Sequence, residues 1–182
     1  MLEALLVRYG APTLAGLKTG SLFSCVFPCE QEMLTCLLHW NRRLSQKGLR
    51  LLPLRQHRGR TLIYLYRPAA LARDLRQTAA CALLRPRGYP CPNPERCITC
   101  LCRSLRQQED FPHEIGLFLG YPPEDVRGFL ERPAEFKWAR CWKVYGDVSA
   151  AQQSFAAFHA CTRLYTLRLS QGTPLEHLAV SD

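Results

Sequence analysis

An adjacent acid–base pair, His113-Glu114, is the part of the chain best suited to proton chemistry. Histidine exchanges protons near neutral pH, so His113 could act as a general base, with Glu114 as its orienting or partner acid. A zinc-protease arrangement would need a second histidine four residues after the first, and Leu117 occupies that position. The competing interpretation is a helix N-terminus, with Glu114 in its first turn and His113 hydrogen-bonded to the backbone.

A second group of polar residues follows a predicted strand that ends at Tyr145. Alternate side chains of a strand point to opposite faces, so Lys143 and Tyr145 would share one face, with Asp147 just beyond the strand. This placement suits an anionic or carbonyl-bearing ligand, and Tyr121 and Lys18 are further ligand-binding candidates. The alternative is a half-exposed strand with ordinary polar outer residues.

The chain has ten cysteines, and four of them lie close together in the sequence. Thiolates at this density can close a tetrahedral zinc site or hold an iron–sulfur cluster. Their spacing matches no standard metal framework, so burial as small, soft side chains stays open. The candidate metal ligands are Cys91, Cys97, Cys100 and Cys102.

The composition, with 47% hydrophobic and 21% charged residues, is that of an ordinary folded protein. No run approaches the ~18 uncharged apolar residues that a membrane span needs. The N-terminus lacks the basic start and long apolar core of a signal peptide. We therefore expect a cytoplasmic protein with no membrane partner, in which the thiols are kept reduced.

The net charge of +9 is concentrated in residues 42–106, which hold 15 lysines and arginines and two acidic residues. With Tyr64, Tyr66 and Tyr89, this basic block could supply phosphate contacts and base stacking to a nucleic acid. No recognised nucleic-acid motif accompanies it, and a solvated basic surface is the alternative. Nucleic acid therefore ranks third among the possible partners.

The apolar periodicity predicts a single α+β domain over residues 1–182, with a small, mainly antiparallel sheet covered by helices. The predicted strands are 21–27, 49–55, 61–67 and 141–145, and the covering helices are 30–46, 69–84 and 148–169. A short helix over 2–9 is expected to break at Gly10-Ala-Pro-Thr13. Residues from about 173 to 182 are expected to form a loose C-terminal tail.

Four phrases of the sequence together resemble the bacterial family named domain of unknown function 3793. They are GAPTLAGLKT at 10–19, YLYRP at 64–68, FPHEIGLFLGYPPEDVRGF at 111–129 and WKVYGD at 142–147. The resemblance covers nearly the whole chain in the family's order. It implies a single-domain cytosolic protein of the anaerobe type, and it implies no established activity. The family often has His-Cys before Ala-Pro-Thr-Leu, where this chain has Tyr9-Gly10, so a thiol mechanism resting on that position is excluded.

These observations favour recognition of a small or anionic ligand, or of a protein partner, at a site formed by 111–129 and 142–147. A competing hypothesis is an enzyme that uses His113 and Glu114 for proton transfer, with Lys143 or Tyr145 stabilising charge. A third is a thiol or metal protein, carrying zinc or an iron–sulfur cluster, built on the cysteines between 91 and 102.

Overall fold

The computed structural model describes residues 2–107 and 111–181. These residues form two compact units, one from residues up to 69 together with those from 158 onward, the other from residues 70–157. The predicted fold class is confirmed: the chain is α+β, with a small antiparallel sheet covered by helices. Within the described residues, no helix combines the length and the apolar character that crossing a bilayer requires.

The helices, in chain order, are α1 (Leu2–Leu14), α2 (Glu30–Leu44), α3 (Pro68–Arg76), α4 (Thr78–Leu84), α5 (Pro94–Gln107), α6 (Ile115–Phe118), α7 (Pro123–Glu131), α8 (Val148–Ser170) and α9 (Leu175–Leu178). The strands are β1 (Gly20–Val26), β2 (Arg50–His57), β3 (Arg60–Tyr66), β4 (Trp138–Ala139) and β5 (Lys143–Val144). Single turns of 3-10 helix follow α2 and α4.

The sheet of the first unit has β3 between β1 and β2, and both pairings are antiparallel. Tyr66 lies opposite Gly20 on one side and Arg50 on the other. The register of β2 shifts between Pro53 and Arg55, where the proline has no N–H to donate to the ladder. The three strands predicted over 21–67 and the hairpin that joins the last two are therefore present.

Helices cover this sheet because their apolar side chains recur at helical spacing. On α2 the buried residues follow each other every three or four positions, and α2 packs against β2 while α1 packs against β1. Burying such side chains contributes about 1.5–3 kcal/mol each. The fully buried members of this core are Leu6, Leu14, Leu44, Leu49, Ile63, Leu65 and Leu175.

The first helix continues through Pro12 to Leu14, so the predicted break at Gly10-Ala-Pro-Thr13 is wrong. Gly10 allows the close approach of the sheet, since a Cβ there would lie 2.5 Å from a Leu65 methyl carbon. Ala11 and Leu14 are both fully buried. Their burial offsets the hydrogen bond that a proline inside a helix removes.

The C-terminal segment is packed rather than loose, which corrects the prediction for residues from about 173 onward. Leu175, Leu178 and Ala179 are buried in the core of the first unit, and α9 packs against α1. The Val180 N–H donates to the Leu14 carbonyl oxygen at 3.0 Å. The segment therefore completes the core and satisfies an end carbonyl of α1.

Arg67, directly after β3, is a buried cation at the end of the first helix, with 2% of its surface exposed. Its guanidinium donates to the carbonyl oxygens of Thr13 (2.8 Å), Leu14 (2.7 Å) and Val180 (2.8 Å). The last carbonyls of a helix carry partial negative charge, so a cation is favoured there. Arg67 thus joins β3, the end of α1 and the C-terminal segment.

In the second unit α4 and α6 pack against α7, and α7 packs against β5. The predicted strand 141–145 does not join the main sheet: β5 pairs with β4, with Trp138 opposite Val144. The reason lies at its end, where the backbone N–H groups of Tyr145 and Gly146 are bound by a side chain of α7. This part of the prediction is wrong.

The predicted helix over 69–84 is interrupted, because Gln77 has an extended ψ of 134° between α3 and α4. The break changes which positions face inward. Leu71 and Leu75 are buried in α3, whereas Ala80 and not Ala79 is buried in α4. A single straight helix would have kept Ala79 on the apolar face.

Candidate functional site

Asp125 on α7 fixes the position of the 142–147 segment. The residue is 2% exposed, and its carboxylate accepts three hydrogen bonds. Oδ1 accepts from the backbone N–H groups of Tyr145 (2.7 Å) and Gly146 (2.8 Å), and Oδ2 accepts from Trp142 Nε1 (2.8 Å). Hydrogen bonds to an ionised group are about twice as strong as neutral ones. The two segments that carry the predicted site are therefore directly joined.

Aromatic rings reinforce this junction. Tyr121 stacks on Trp142 with ring centroids 4.5 Å apart, and Trp142 meets the edge of Phe155 at 4.3 Å. Burial raises the pKa of Tyr121 to about 12, so the phenol stays neutral. The structure thus places Tyr121, a predicted ligand-binding residue, as the stacking partner of Trp142.

Gly128 lets α7 and the hairpin touch. A Cβ at this position would lie 2.2 Å from Tyr145 Cγ and 2.7 Å from Tyr145 Cβ. Because the second contact involves the first carbon of the side chain, rotating the ring cannot remove it. Segments 111–129 and 142–147 consequently meet in close packing at this point, with no space for a ligand between Gly128 and Tyr145.

Replacing Gly128 with alanine is expected to lower the free energy of unfolding by about 2–3 kcal/mol, because overpacking costs about 1–3 kcal/mol and the contact cannot relax locally. Chemical denaturation followed by far-UV circular dichroism measures the change. Arg127→Ala, at the exposed neighbouring position of α7, is the matched control and should stay within about 0.5 kcal/mol. Equal stability of the wild type and Gly128→Ala would contradict the close contact.

The structure separates the side chains of the predicted catalytic pair. Glu114 is buried and its Oε1 accepts a hydrogen bond from the Tyr89 hydroxyl at 2.8 Å. Burial and the adjacent carboxylate raise the pKa of Tyr89, so the hydroxyl keeps its proton and remains a donor. His113 is exposed and meets the ring of Phe129 at 4.8 Å.

Lys143 contacts the ring of Phe129, as His113 does. Its Nζ is 5.3 Å from the Phe129 centroid and 4.8 Å from that of Phe136, and it donates to the Pro133 carbonyl oxygen at 2.9 Å. The Tyr145 hydroxyl donates to the same carbonyl at 3.2 Å. We call His113, Phe129, Phe136, Lys143 and Tyr145 the Phe129 surface. It joins three of the predicted site residues.

The remaining ligand-binding candidates lie elsewhere. Asp147 Oδ1 accepts the Ala150 N–H at 3.0 Å, so this carboxylate caps the start of α8. Lys18 belongs to the first unit, in the turn between α1 and β1. Neither residue contributes to the Phe129 surface.

The four cysteines predicted as metal ligands do not converge. Cys91 and Cys97 have Sγ atoms 3.6 Å apart, whereas Cys100 Sγ lies near the Gly88 carbonyl oxygen at 3.9 Å. Across the described residues, no group of three or more His, Cys, Asp or Glu side chains is arranged to hold a metal ion. The geometry brings Cys91 and Cys97 together, and Cys81, which was not among the predicted ligands, also lies next to Cys91.

The tyrosines offered for base stacking are largely inaccessible. Tyr64 is fully buried and stacks on Tyr66 at 4.6 Å, and Tyr89 is buried against Glu114. A base needs an exposed ring face. The basic block thus retains its charge but loses two of its three proposed stacking platforms.

The sequence favours no role for Phe129 or Phe136, and for Asp125 it favours a position in the first turn of a predicted helix and a minor ligand-binding role beside Tyr121. The sequence feature that helps to locate Asp125 is the pair Pro122-Pro123. It starts α7, so that Asp125 lies in the first turn of this helix. An acid there is common on dipole grounds alone. Its contact with a segment about twenty residues later has no local signature.

Comparison with known protein families identifies a match. A family model described as Protein of unknown function (DUF3793) matches residues 6–179. No curated protein and no solved structure matches the chain. The match spans nearly all of the sequence, including the hydrogen-bonded segments around Asp125. The chain belongs to the family described as Protein of unknown function (DUF3793).

Proposed function

We propose that this protein is a binding module that takes up an anionic group, a carboxylate or phosphate, of its ligand at the Phe129 surface. The observation that carries the proposal is that His113 and Lys143 lie against the same aromatic ring, at 4.8 and 5.3 Å. An imidazole and an ammonium group that both contact one ring are two hydrogen-bonding groups of the kind that bind an anion's oxygens.

The ammonium group of Lys143 is oriented and still able to bind. An ammonium has three N–H donors, and among the described residues one of them is used, by the Pro133 carbonyl oxygen. Attraction between an ammonium group and an aromatic ring contributes about 0.5–1 kcal/mol at an exposed site, which helps to hold Lys143 near Phe129 and Phe136. The ligand would therefore meet a positive charge held between two aromatic rings.

The exposed ring of Phe136, with 42% of its surface accessible, adds an apolar contact for the rest of the ligand. Binding sites commonly combine aromatic walls with a few placed polar groups. The network of Asp125 holds the Lys143 strand before binding, which reduces the entropy that ligand binding must offset.

The enzyme alternative has less support from the geometry. Proton transfer by His113 and Glu114 together requires both groups to reach one substrate, but Glu114 is buried with Tyr89 while His113 faces outward. The thiol or metal alternative rests on Cys91 and Cys97. We also propose that the protein lies in the reducing cytoplasm of a bacterium. The ligands available to the Phe129 surface there are small anions and acidic proteins.

The direct test is a titration of ¹⁵N-labelled protein with inorganic phosphate, succinate and a hexaglutamate peptide. At least one probe should shift the amide resonances of Phe129, Lys143 and Tyr145. Lys143→Met, which keeps the apolar stem and removes the charge, should weaken that binding about tenfold, since a charge-assisted hydrogen bond contributes about 1.5–3 kcal/mol.

Lys47→Met is the matched control, because Lys47 lies in the first unit, in the turn after α2. It should leave the affinity within about twofold, a difference of less than 0.5 kcal/mol at about 1.4 kcal/mol per tenfold change. Resonances near Phe129 that respond to none of the three probes, or binding that is equally strong in Lys143→Met, would refute the proposal.

A further inference from the structure

A cluster of thiols lies in the second unit apart from the Phe129 surface. Cys91 is in the loop before α5, Cys97 is in the first turns of α5, and their Sγ atoms are 3.6 Å apart. A disulfide has its sulfurs about 2.05 Å apart, so an approach of about 1.5 Å would join them. Loop 88–93 carries one of the two thiols, and a helix carries the other.

The two thiols differ in accessibility. Cys97 is completely buried, whereas Cys91 is half-buried and can be reached by a small reagent. Burial, then the hydrogen bond to Cys97, raises the pKa of Cys91 to about 12, and burial also raises the pKa of Cys97. Both therefore persist as thiols at neutral pH, and their exchange reactions are slow there.

We propose that Cys91 and Cys97 are a reversible redox pair that closes to an intramolecular disulfide by exchange with a low-molecular-weight disulfide. The Cys91 thiolate attacks one sulfur of the reagent, forms a mixed disulfide and expels one thiolate, which takes up the proton that Cys91 lost. Cys97, after losing its own proton, attacks the Cys91 sulfur and expels the second reagent thiolate. Two protein thiols are oxidised by two electrons, and one reagent disulfide is reduced to two thiols.

Formation of the disulfide would act on His113 and Glu114 through the loop that carries Cys91 and Tyr89. Cys91 follows Tyr89 by two residues, its N–H donates to the Tyr89 carbonyl oxygen at 2.9 Å, and Tyr89 holds Glu114. Drawing Cys91 toward α5 shifts this loop, and with it the segment that carries His113. The pair thus lies where its oxidation state can be transmitted to residues 113–114.

The test treats the reduced full-length protein with excess oxidised glutathione under native conditions, followed by alkylation and peptide mapping. The expected product is one peptide pair that links Cys91 to Cys97, reopened by dithiothreitol. Its rate of formation should rise about tenfold per pH unit between pH 7 and 10, because the thiolate fraction grows in that proportion below the pKa.

Variants separate the roles of the two thiols. The reaction of Cys97→Ser should stop at a stable glutathione adduct on Cys91. In Cys91→Ser the buried Cys97 should stay unmodified. This second variant still tests the proposal if the first one folds poorly. Cys102→Ser, a half-buried cysteine further along α5, should close at the wild-type rate. A link from Cys91 to Cys81 or Cys100, a lasting adduct in the wild type, or no reaction of Cys91 would overturn the proposal.

Discussion

Replacing Asp125 with alanine is expected to lower the free energy of unfolding by about 3–5 kcal/mol. The change removes one charged acceptor and leaves three donors, two backbone N–H groups and the indole of Trp142, without it. A buried donor left unsatisfied costs about 1–3 kcal/mol, and partial access of water reduces the total below the simple sum. The hairpin of β4 and β5 should detach from α7 first.

Two measurements report this loss in different ways. Chemical denaturation followed by tryptophan fluorescence gives the free energy, with Trp142 contributing to the signal together with Trp40 and Trp138. Amide hydrogen exchange at Tyr145 and Gly146 should accelerate under native conditions, because both N–H groups lose their acceptor.

Asp125→Asn sharpens the interpretation. The amide keeps one oxygen acceptor but places an NH₂ group where the second oxygen stood, so a donor would face either the indole or the backbone N–H groups. We expect a loss of about 2–4 kcal/mol, close to that of alanine. Glu124→Gln is the control, because it removes the charge of an exposed acid in the same turn and keeps the side chain that lies against Gly146, and it should cost less than about 1 kcal/mol. Equal effects at 124 and 125 would mean that helix-dipole charge, and not the network, stabilises the junction.

The parts of the fold that could be predicted are those with a local signature. The strands β1 and β3 are runs rich in Phe, Val, Ile and Tyr that are bounded by turns, and α2 has a clear apolar period. α9 is a single turn whose two buried leucines pack into the core of the first unit and against α1, and one turn is too short to show an apolar periodicity. Short elements stabilised by distant contacts are invisible to a local pattern.

The candidate site shows the same division. Lys143 and Tyr145 both donate to the Pro133 carbonyl oxygen, which agrees with the alternation along an extended segment that places them on one face. His113 and Glu114 are adjacent in sequence, yet consecutive residues at the start of a helix project in different directions, and one became buried against Tyr89. Adjacency in the sequence therefore did not mean that His113 and Glu114 act together. The role of Phe129 depends on a tertiary contact with Lys143, which the sequence alone does not reveal.

Replacing Arg67 with methionine is expected to cost about 3–5 kcal/mol of unfolding free energy in the first unit. Methionine preserves the apolar stem but leaves the carbonyl oxygens of Thr13, Leu14 and Val180 without the guanidinium. The Thr13 and Leu14 oxygens keep the N–H groups of Gly16 and Val180 as partners, so the cost comes from the lost hydrogen bonds to a charged group, about 1.5–3 kcal/mol each at most, and from the lost interaction of a cation with the end of α1. Arg67→Lys should lose about 1–3 kcal/mol, because an ammonium keeps the charge but cannot reproduce the planar fork.

The matched control is Arg60→Met, an exposed arginine at the start of the same strand, which should stay within about 0.5 kcal/mol. A second readout separates a specific contact from general destabilisation. Carboxypeptidase should remove the residues after α9 faster from Arg67→Met than from a core variant of matched stability such as Leu37→Ala, because Arg67 binds Val180 directly. If both variants are trimmed at the same rate, Arg67 stabilises the core without holding the C-terminal segment, and the three-way junction of β3, α1 and the chain end is refuted.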